Sequence, residues 1–274
     1  MKEELARARK RRSPLVAFTC YTLETATGIL EAAEDAGTPA LLLVSDATLR
    51  RPSGTQLLAA LVAVTRQSRV SAGVQLDHCP DLDRLRIALD LGATAIMADG
   101  SRLDDEANAR FVRQAVRAAE PYGAAVEAEL GRIEGHEDID IAAAASAGYT
   151  DPAEAERFVE RTGADCLAVS IGNVHGTYQH PPQLDWPRLS AIVDRVPAAI
   201  ALHGTSGLPA EQVSYAQQLG VVKFNLNTEL RRAYLTELRN FLTQEPDSTD
   251  MLALTDRLRQ SAHDIARAFP RVRD

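Results

Sequence analysis

The feature that most limits the fold is an alternation repeated eight times along the chain. Short runs rich in Val, Ile, Leu and Ala occur at 15–20 ("LVAFTC"), 40–45 ("ALLLVS"), 73–78 ("GVQLDH") and 95–100 ("AIMADG"). Four more follow at 124–130 ("AAVEAEL"), 166–172 ("CLAVSIG"), 198–204 ("AAIALHG") and 221–227 ("VVKFNLN"). Between them lie longer stretches of helical character, such as "LETATGILEAAEDAG", "DLDRLRIALDLGA" and "DPAEAERFVERTGA". Helix punctuation supports this reading: Asp151 stands as an N-cap before Pro152, and Gly37, Gly92, Gly163 and Gly220 lie near helix ends. A strand that is apolar on both faces belongs to a parallel sheet covered on both sides. Eight β/α units of about 25–35 residues predict closure into an α/β barrel rather than an open sheet. The fold expected is one (β/α)8 TIM-barrel domain over 1–274, with the barrel at about 13–244 and a C-terminal helical extension at about 245–274.

Two segments break the period. After the fifth run, "GRIEGHEDIDIAAAASAGYTDP" is longer and more irregular than an ordinary βα loop, which makes it a candidate lid. The tail "STDMLALTDRLRQSAHDIARAF" reads as an extra helix. The start, "MKEELARARKRRSPLVAF", is basic without the apolar stretch of a secretory signal, and reads as a short amphipathic helix before the first strand. No apolar run approaches the roughly 20 residues of a membrane span. A net charge of −8 disfavours nucleic acid as the main partner, so neither nucleic acid nor membrane is expected. Cys20, Cys79 and Cys166 form no CxxC pair and suit a reducing cytoplasm, with Cys166 read as a small core residue.

In such barrels the chemistry collects at the C-terminal ends of the strands. Those positions carry Asp77-His78, Asp99-Gly100-Ser101, Glu127 and Glu129, Asn173 with His175, His203-Gly204, and Asn225 with Asn227. A single histidine at a strand end is more often structural than a ligand. Three on one rim, His78, His175 and His203, form the donor set of a catalytic zinc site with one position open, although a structural network remains an alternative. His136, His180 and His263 read as exposed loop or helix residues. Cys79, adjacent to His78, would point to the opposite face of its strand and is not expected on the same ion. Asp77 suits a proton donor to an oxygen near the metal, and Glu137 on the long loop suits a moving base. Glu129 reads as an orienting group or alternative metal contact, and Glu127 as an outward-facing, solvated or paired carboxylate. "HGTSGLPAEQ" and "NLNTEL" set Gly204, Ser206, Asn225 and Thr228 where backbone N–H groups and a helix N-terminus could cradle a phosphate.

Taken together, "QLDHCPDL", "IMADGS", "VEAELG…EGHED", "VSIGNVHGTY", "LHGTSGLP" and "VVKFNLNTEL" resemble, in order and spacing, the class II (metal-dependent) fructose-bisphosphate and tagatose-bisphosphate aldolases from about Leu15 to Leu238. The resemblance implies zinc-dependent cleavage or synthesis of a ketose phosphate through an enediolate of dihydroxyacetone phosphate, without a Schiff base. It matches His78, His175 and His203 to the zinc ligands and Glu129 to a glutamate near the metal. Asp77 matches the residue that handles the proton on the C4 hydroxyl or aldehyde oxygen, and Glu137 the mobile-loop glutamate. Gly176, Gly204, Ser206, Asn225 and Thr228 align with the phosphate site, which in the family also employs a monovalent cation (Na+ or K+). Ser45 matches a distal phosphate contact. It further implies a phosphorylated sugar substrate and a homo-oligomer, dimer or tetramer.

The acceptor side departs from the family pattern. Thr19 replaces the asparagine of "AFN", and Glu134 replaces a glycine of the loop. Asn227 stands where fructose enzymes commonly carry Asp and tagatose enzymes Ala, and the family's C-terminal "DPRKYL"-like segment is absent. The donor half matches the family and the acceptor half is altered, which leaves the acceptor aldehyde open, glyceraldehyde 3-phosphate or a non-standard one. Two other readings remain at this stage: a catalytically silent metal-binding barrel with an assembly role, and a Schiff-base enzyme acting through Lys223.

Overall fold

The computed structural model describes residues 1–135, 142–143, 148–178, 180 and 182–269, with 142–143 and 177 described by their backbone alone. Eight parallel strands close into a barrel: β1 (Leu15–Thr19), β2 (Ala40–Ser45), β3 (Ala72–Cys79), β4 (Ala95–Ala98), β5 (Ala125–Leu130), β6 (Cys166–Val169), β7 (Ala199–Leu202) and β8 (Lys223–Leu226). Neighbours in the wall are consecutive in sequence, and β8 returns to β1 through Leu15↔Lys223 to Phe18↔Leu226. The expected closed (β/α)8 barrel is present.

Alternation divides each strand between two cores. Leu15, Ala17, Leu41, Leu43, Met97 and Cys166 fill the barrel interior, where Cys166 is the small core residue anticipated from sequence. Val16, Phe18, Leu42, Leu76 and Val126 pack outward against the helices. Both faces are dry, which is why the runs are apolar without a polar alternate. The first helix, α1 (Lys2–Arg11), lies across the N-terminal end of the barrel, where Leu5 and Ala8 join the interior cluster. The functional residues therefore have only the opposite mouth available.

Helix starts follow the caps. Asp151 accepts from Ala153 N and Glu154 N, each at 2.9 Å, ahead of the helix Pro152–Thr162. The tail forms α11 (Met251–Arg267), reached after α10 (Thr228–Gln244), and packs on α2 (Leu23–Ala36). Gly28 permits that packing, because a Cβ there would lie 2.2 Å from the Arg259 carbonyl oxygen. His263, expected to be exposed, lies partly buried on α11 beside Asp35 of α2, so helix docking covers it. His180 is exposed, as expected.

The long segment after β5 is stitched to the segment after β6. Glu134 and Gly135 pair with Val174 and His175, and 142–143 pair with Thr177 and Tyr178. Two expectations on this segment, the candidate moving base Glu137 and the exposed His136, lie outside the described residues.

Candidate active site

The three rim histidines arrive by different local devices. On β3, register with β4 shifts between Leu76 and Cys79, the mark of a β-bulge. His78 within that bulge has φ +48°, a left-handed conformation that costs strain for a residue with a Cβ. The bulge breaks the strict alternation of side chains. Asp77 turns into the barrel while His78 still faces the mouth. After β6, Asn173 fixes the turn: its Oδ1 accepts from Ile171 N, and its Nδ2 donates to the carbonyls of Val169 and His203. The last of these bonds ties the exit of β6 to that of β7. Gly204 completes the approach, since a Cβ there would stand 2.0 Å from the Val174 oxygen at φ +64°.

The result is one cluster. His78 Nε2 lies 2.9 Å from His203 Nδ1, and His175 Nε2 lies 3.4 Å from the same atom. The outward nitrogens are held by acceptors. His78 Nδ1 meets Asp99 Oδ2 at 2.9 Å, His203 Nε2 meets Glu127 Oε1 at 2.7 Å, and His175 has a backbone hydrogen bond with Ile133. With protons placed on the outward nitrogens, the inward ones face each other as lone pairs with no proton between them. That arrangement is repulsive alone and complementary to a cation. Nitrogens bound tetrahedrally to zinc at 2.0–2.1 Å lie about 3.3 Å apart, close to the spacing found. Burial and the neighbouring imidazole His78 hold His175 well below its usual pKa; burial also lowers that of His203, so both favour the neutral form a ligand requires.

The surrounding acids differ sharply. Burial would raise Asp99, but hydrogen bonds and charge from His78 and bonds from Ser101 hold it well below the usual carboxylate range. Glu129 has less compensation. Burial first, then the Asp99 charge, pushes its pKa up to about 8, and its Oε2 has no hydrogen-bond partner among the described residues. His78, Asp99 and Glu129 form a second group able to hold a cation, which keeps Glu129 available as an alternative contact. Asp77 is fully buried, accepts from Gln75 Nε2 at 2.7 Å and Asn225 Nδ2 at 3.2 Å, and keeps Oδ2 4.0 Å from His78 Nε2.

Glu127 is not outward-facing as expected. It lies inside the barrel, 2 % exposed, paired with Lys223 at 2.8 Å as well as with His203. The two-residue period could have shown this, because Glu127 and Glu129 share a strand face and Glu129 points inward. The same spacing links Gln75 to Asp77 and Lys223 to Asn225, and the sequence reading gave Gln75 no part. Lys223 is fully buried, and although burial alone would lower its pKa, the Glu127 and Asp77 charges raise it. With its Nζ engaged by Glu127 and Asn225 and both carboxylates favouring the ammonium form, Lys223 does not fit a Schiff-base nucleophile.

The residues assigned to phosphate gather beside the histidines between the exits of β7 and β8. Ser206 Oγ accepts from Asn227 N and Thr228 N, both at 3.3 Å, at the N-terminus of α10. Gly176, at φ +87°, follows His175 directly. The Gly204 carbonyl accepts from the Tyr178 hydroxyl at 2.9 Å, and Asn227 exchanges hydrogen bonds with the Tyr21 hydroxyl. Asn225 lies deeper, its amide held by Lys223 and Asp77, so any phosphate contact would add to these bonds. Ser45 stands apart: it pairs in register with Asp77, and its hydroxyl accepts from Thr48 N as a helix cap. Thr19 is buried, and its hydroxyl has no hydrogen-bond partner among the described residues.

Solved structures share this architecture. The YdjI aldolase of Escherichia coli K12 is 29 % identical, with a TM-score of 0.85 over 97 % of this chain and 93 % of that one. A protein of Coccidioides immitis, described as a candidate fructose-1,6-biphosphate aldolase, is 30 % identical, with a TM-score of 0.85 over 96 % and 92 %. The fructose-bisphosphate aldolase of Campylobacter jejuni, at 20 % identity and a TM-score of 0.78 over 97 % and 91 %, shares the fold. Residues 1–272 match the family model of class-II fructose-bisphosphate aldolases, and the chain belongs to that family of lyases.

Proposed function

We propose that the chain is a divalent-metal aldolase that makes or cleaves a ketose phosphate through the enediolate of dihydroxyacetone phosphate, with an acceptor aldehyde other than glyceraldehyde 3-phosphate. The observation that carries this reading is the convergence of three imidazole nitrogens whose outward partners are all fixed. His78, His175 and His203 would hold the ion, zinc or another divalent metal, with Glu129 as an alternative contact. When bound, such an ion supplies Lewis-acid polarisation of the donor's carbonyl and hydroxyl oxygens.

The chain's own groups do the rest. In the cleavage direction Asp77 accepts the proton of the C4 hydroxyl as the C3–C4 bond breaks and its electron pair passes to the donor fragment. Its two oxygens are oriented for this by Gln75 and Asn225. Glu137 then delivers a proton to the donor carbon, and in synthesis removes it. In support of that role, Gly135, two positions earlier in sequence, pairs with His175. Ser206, Thr228 and the α10 N-terminus, with Gly176, Gly204, Asn225 and Asn227, would receive the donor phosphate, with a monovalent cation (Na+ or K+) beside it. Ser45 would meet a distal group of the acceptor. Thr19 and Asn227 are the positions where that half of the site departs from the family pattern.

The remaining parts of this reading are a cytoplasmic setting, a phosphorylated sugar substrate and a dimer or tetramer. Among the described residues no helix is long and apolar enough to cross a membrane. The decisive experiment presents dihydroxyacetone phosphate with a panel of aldehydes, with and without a chelator. Carbon–carbon bond formation that chelation abolishes and zinc restores is expected. Failure of both condensation and enolisation by the zinc-loaded protein would instead favour the silent assembly barrel.

A further inference from the structure

Beneath the three imidazoles, five buried side chains close a hydrogen-bonded ring. Lys223 Nζ contacts Glu127 Oε2 at 2.8 Å and donates to Asn225 Oδ1 at 2.5 Å. Asn225 Nδ2 donates to Asp77 Oδ2 at 3.2 Å. Gln75 Nε2 closes the ring, donating to Asp77 Oδ1 at 2.7 Å and to Glu127 Oε2 at 3.1 Å. The members come from β3, β5 and β8, and the ring touches the metal-ligand set through Glu127 Oε1 to His203 Nε2.

Lys223 is among the largest fully buried side chains of the described residues, and burying an ammonium is costly. An apolar side chain of similar volume would fill the space without that cost. The ammonium nevertheless supplies something an apolar group lacks. It has donors only, so Asn225 must turn its oxygen toward it and its NH2 toward Asp77. It also engages Glu127 Oε2, leaving Oε1 aimed at His203. Two groups face His203 Nε2, the Glu127 carboxylate oxygen at 2.7 Å and the Asn225 amide nitrogen at 3.1 Å. The nearer and stronger acceptor decides, because Asn225 Nδ2 already has Asp77 to donate to, so the proton of His203 sits on Nε2 and Nδ1 is left as a lone pair facing His78 and His175.

We propose that Lys223 is a positioning residue of the metal centre: acting through Glu127 and Asn225, it fixes the tautomer and aim of His203 and the orientation of Asp77. The inference rests on the metal-centre reading above, but its test needs no substrate. A geometry of this kind predicts consequences for metal binding itself, since outer partners of ligating histidines typically govern affinity by about 10–100-fold.

The test uses the full chain as wild type, Lys223→Met, Glu127→Gln and the double variant, each stripped of metal. Zinc affinity is measured by competition with a chromophoric chelator, and the cobalt-substituted proteins are compared by absorption. Circular dichroism establishes that each variant is folded. Both single variants are expected to weaken zinc binding about 10–100-fold and to shift the cobalt bands. The double variant is expected to lose no more than the weaker-binding single, because both changes interrupt one chain of contacts. If Lys223→Met does not fold, the double variant, which removes both charges together, and Glu127→Gln, which keeps the carboxylate's shape, carry the comparison. Wild-type zinc affinity and cobalt bands in the folded variants would overturn the proposal, as would losses that multiply in the double variant. A wild-type protein that binds neither zinc nor cobalt would overturn the metal reading itself, an outcome visible before any variant is made.

Discussion

Replacing Gly204 with alanine should damage both stability and metal binding, and a second glycine supplies the control. At Gly204, φ is +64° and a Cβ would fall 2.0 Å from the Val174 oxygen, with the Val174 carbon at 2.7 Å. At Gly37, φ is +62° but nothing lies within 4 Å of the same atom. The two substitutions therefore carry similar backbone strain, about 1–2 kcal/mol for a left-handed alanine. Only Gly204→Ala adds a collision, with backbone that cannot swing aside as a side chain tip would. Forcing atoms into a packed site costs typically 1–3 kcal/mol, which gives a total of about 2–5 kcal/mol. At roughly 2–4 °C per kcal/mol for a chain of this size, the melting temperature should fall by about 4–20 °C, against about 2–8 °C for Gly37→Ala. Relief must push apart the strand exits that carry His203 and His175, so zinc affinity should weaken about tenfold or more in Gly204→Ala alone. Thermal melts of the metal-free proteins and chelator competition provide both readouts. If Gly204→Ala melts with Gly37→Ala and binds zinc like the wild type, the close approach does not position the ligands and the reasoning fails.

Glu129 predicts a pH dependence in the metal-free protein. Its pKa rises on folding from 4.5 to about 8, so the folded state retains a proton that the unfolded state releases. Its contribution to stability is complete below about pH 4.5 and is lost as pH rises through 8, with a slope on the order of 1.4 kcal/mol per pH unit. Urea unfolding between pH 5 and 8.5 should show the wild type losing stability relative to Glu129→Gln; parallel curves would contradict the assignment. Asp77→Ala should lower kcat by about 10²–10⁴ while leaving bound metal near stoichiometric, measured on whichever ketose phosphate the aldehyde panel identifies. Wild-type turnover in that variant would remove Asp77 from the proton step.

Much of the architecture was legible because it rests on local pattern. Apolar runs such as "ALLLVS" at Ala40–Ser45 have no polar alternate, which only a strand dry on both faces requires. The caps at Asp151 and Gly163 are chemical properties of one or two residues. Strand ends could also be read, so the positions of His78, His175 and His203 on one rim followed from the barrel. The same logic reaches Glu127 only in part. Its spacing from Glu129 already placed the two on one face, but a carboxylate inside a barrel makes sense only beside a counter-charge, and Lys223 lies 96 positions away in sequence. His263 is covered rather than exposed for a related reason, since nothing in the tail announces that α11 docks against α2 at Gly28.

By itself, then, the sequence determined the barrel, the end at which its chemistry collects, and the residue types available there. Tertiary structure decided which atoms of those residues meet. The bulge that lets Asp77 and His78 face one site depends on pairing with β4. The choice of Nδ1 on His203 but Nε2 on His78 and His175 depends on Glu127 of β5, Asp99 just past β4 and Ile133 in the loop after β5. Gly204, read from sequence as part of a phosphate cradle, also has the task of letting two backbone segments touch. Periodicity is set by each residue's near neighbours along the chain, whereas the aim of a ligand atom is set by neighbours that only closure of the barrel brings within reach.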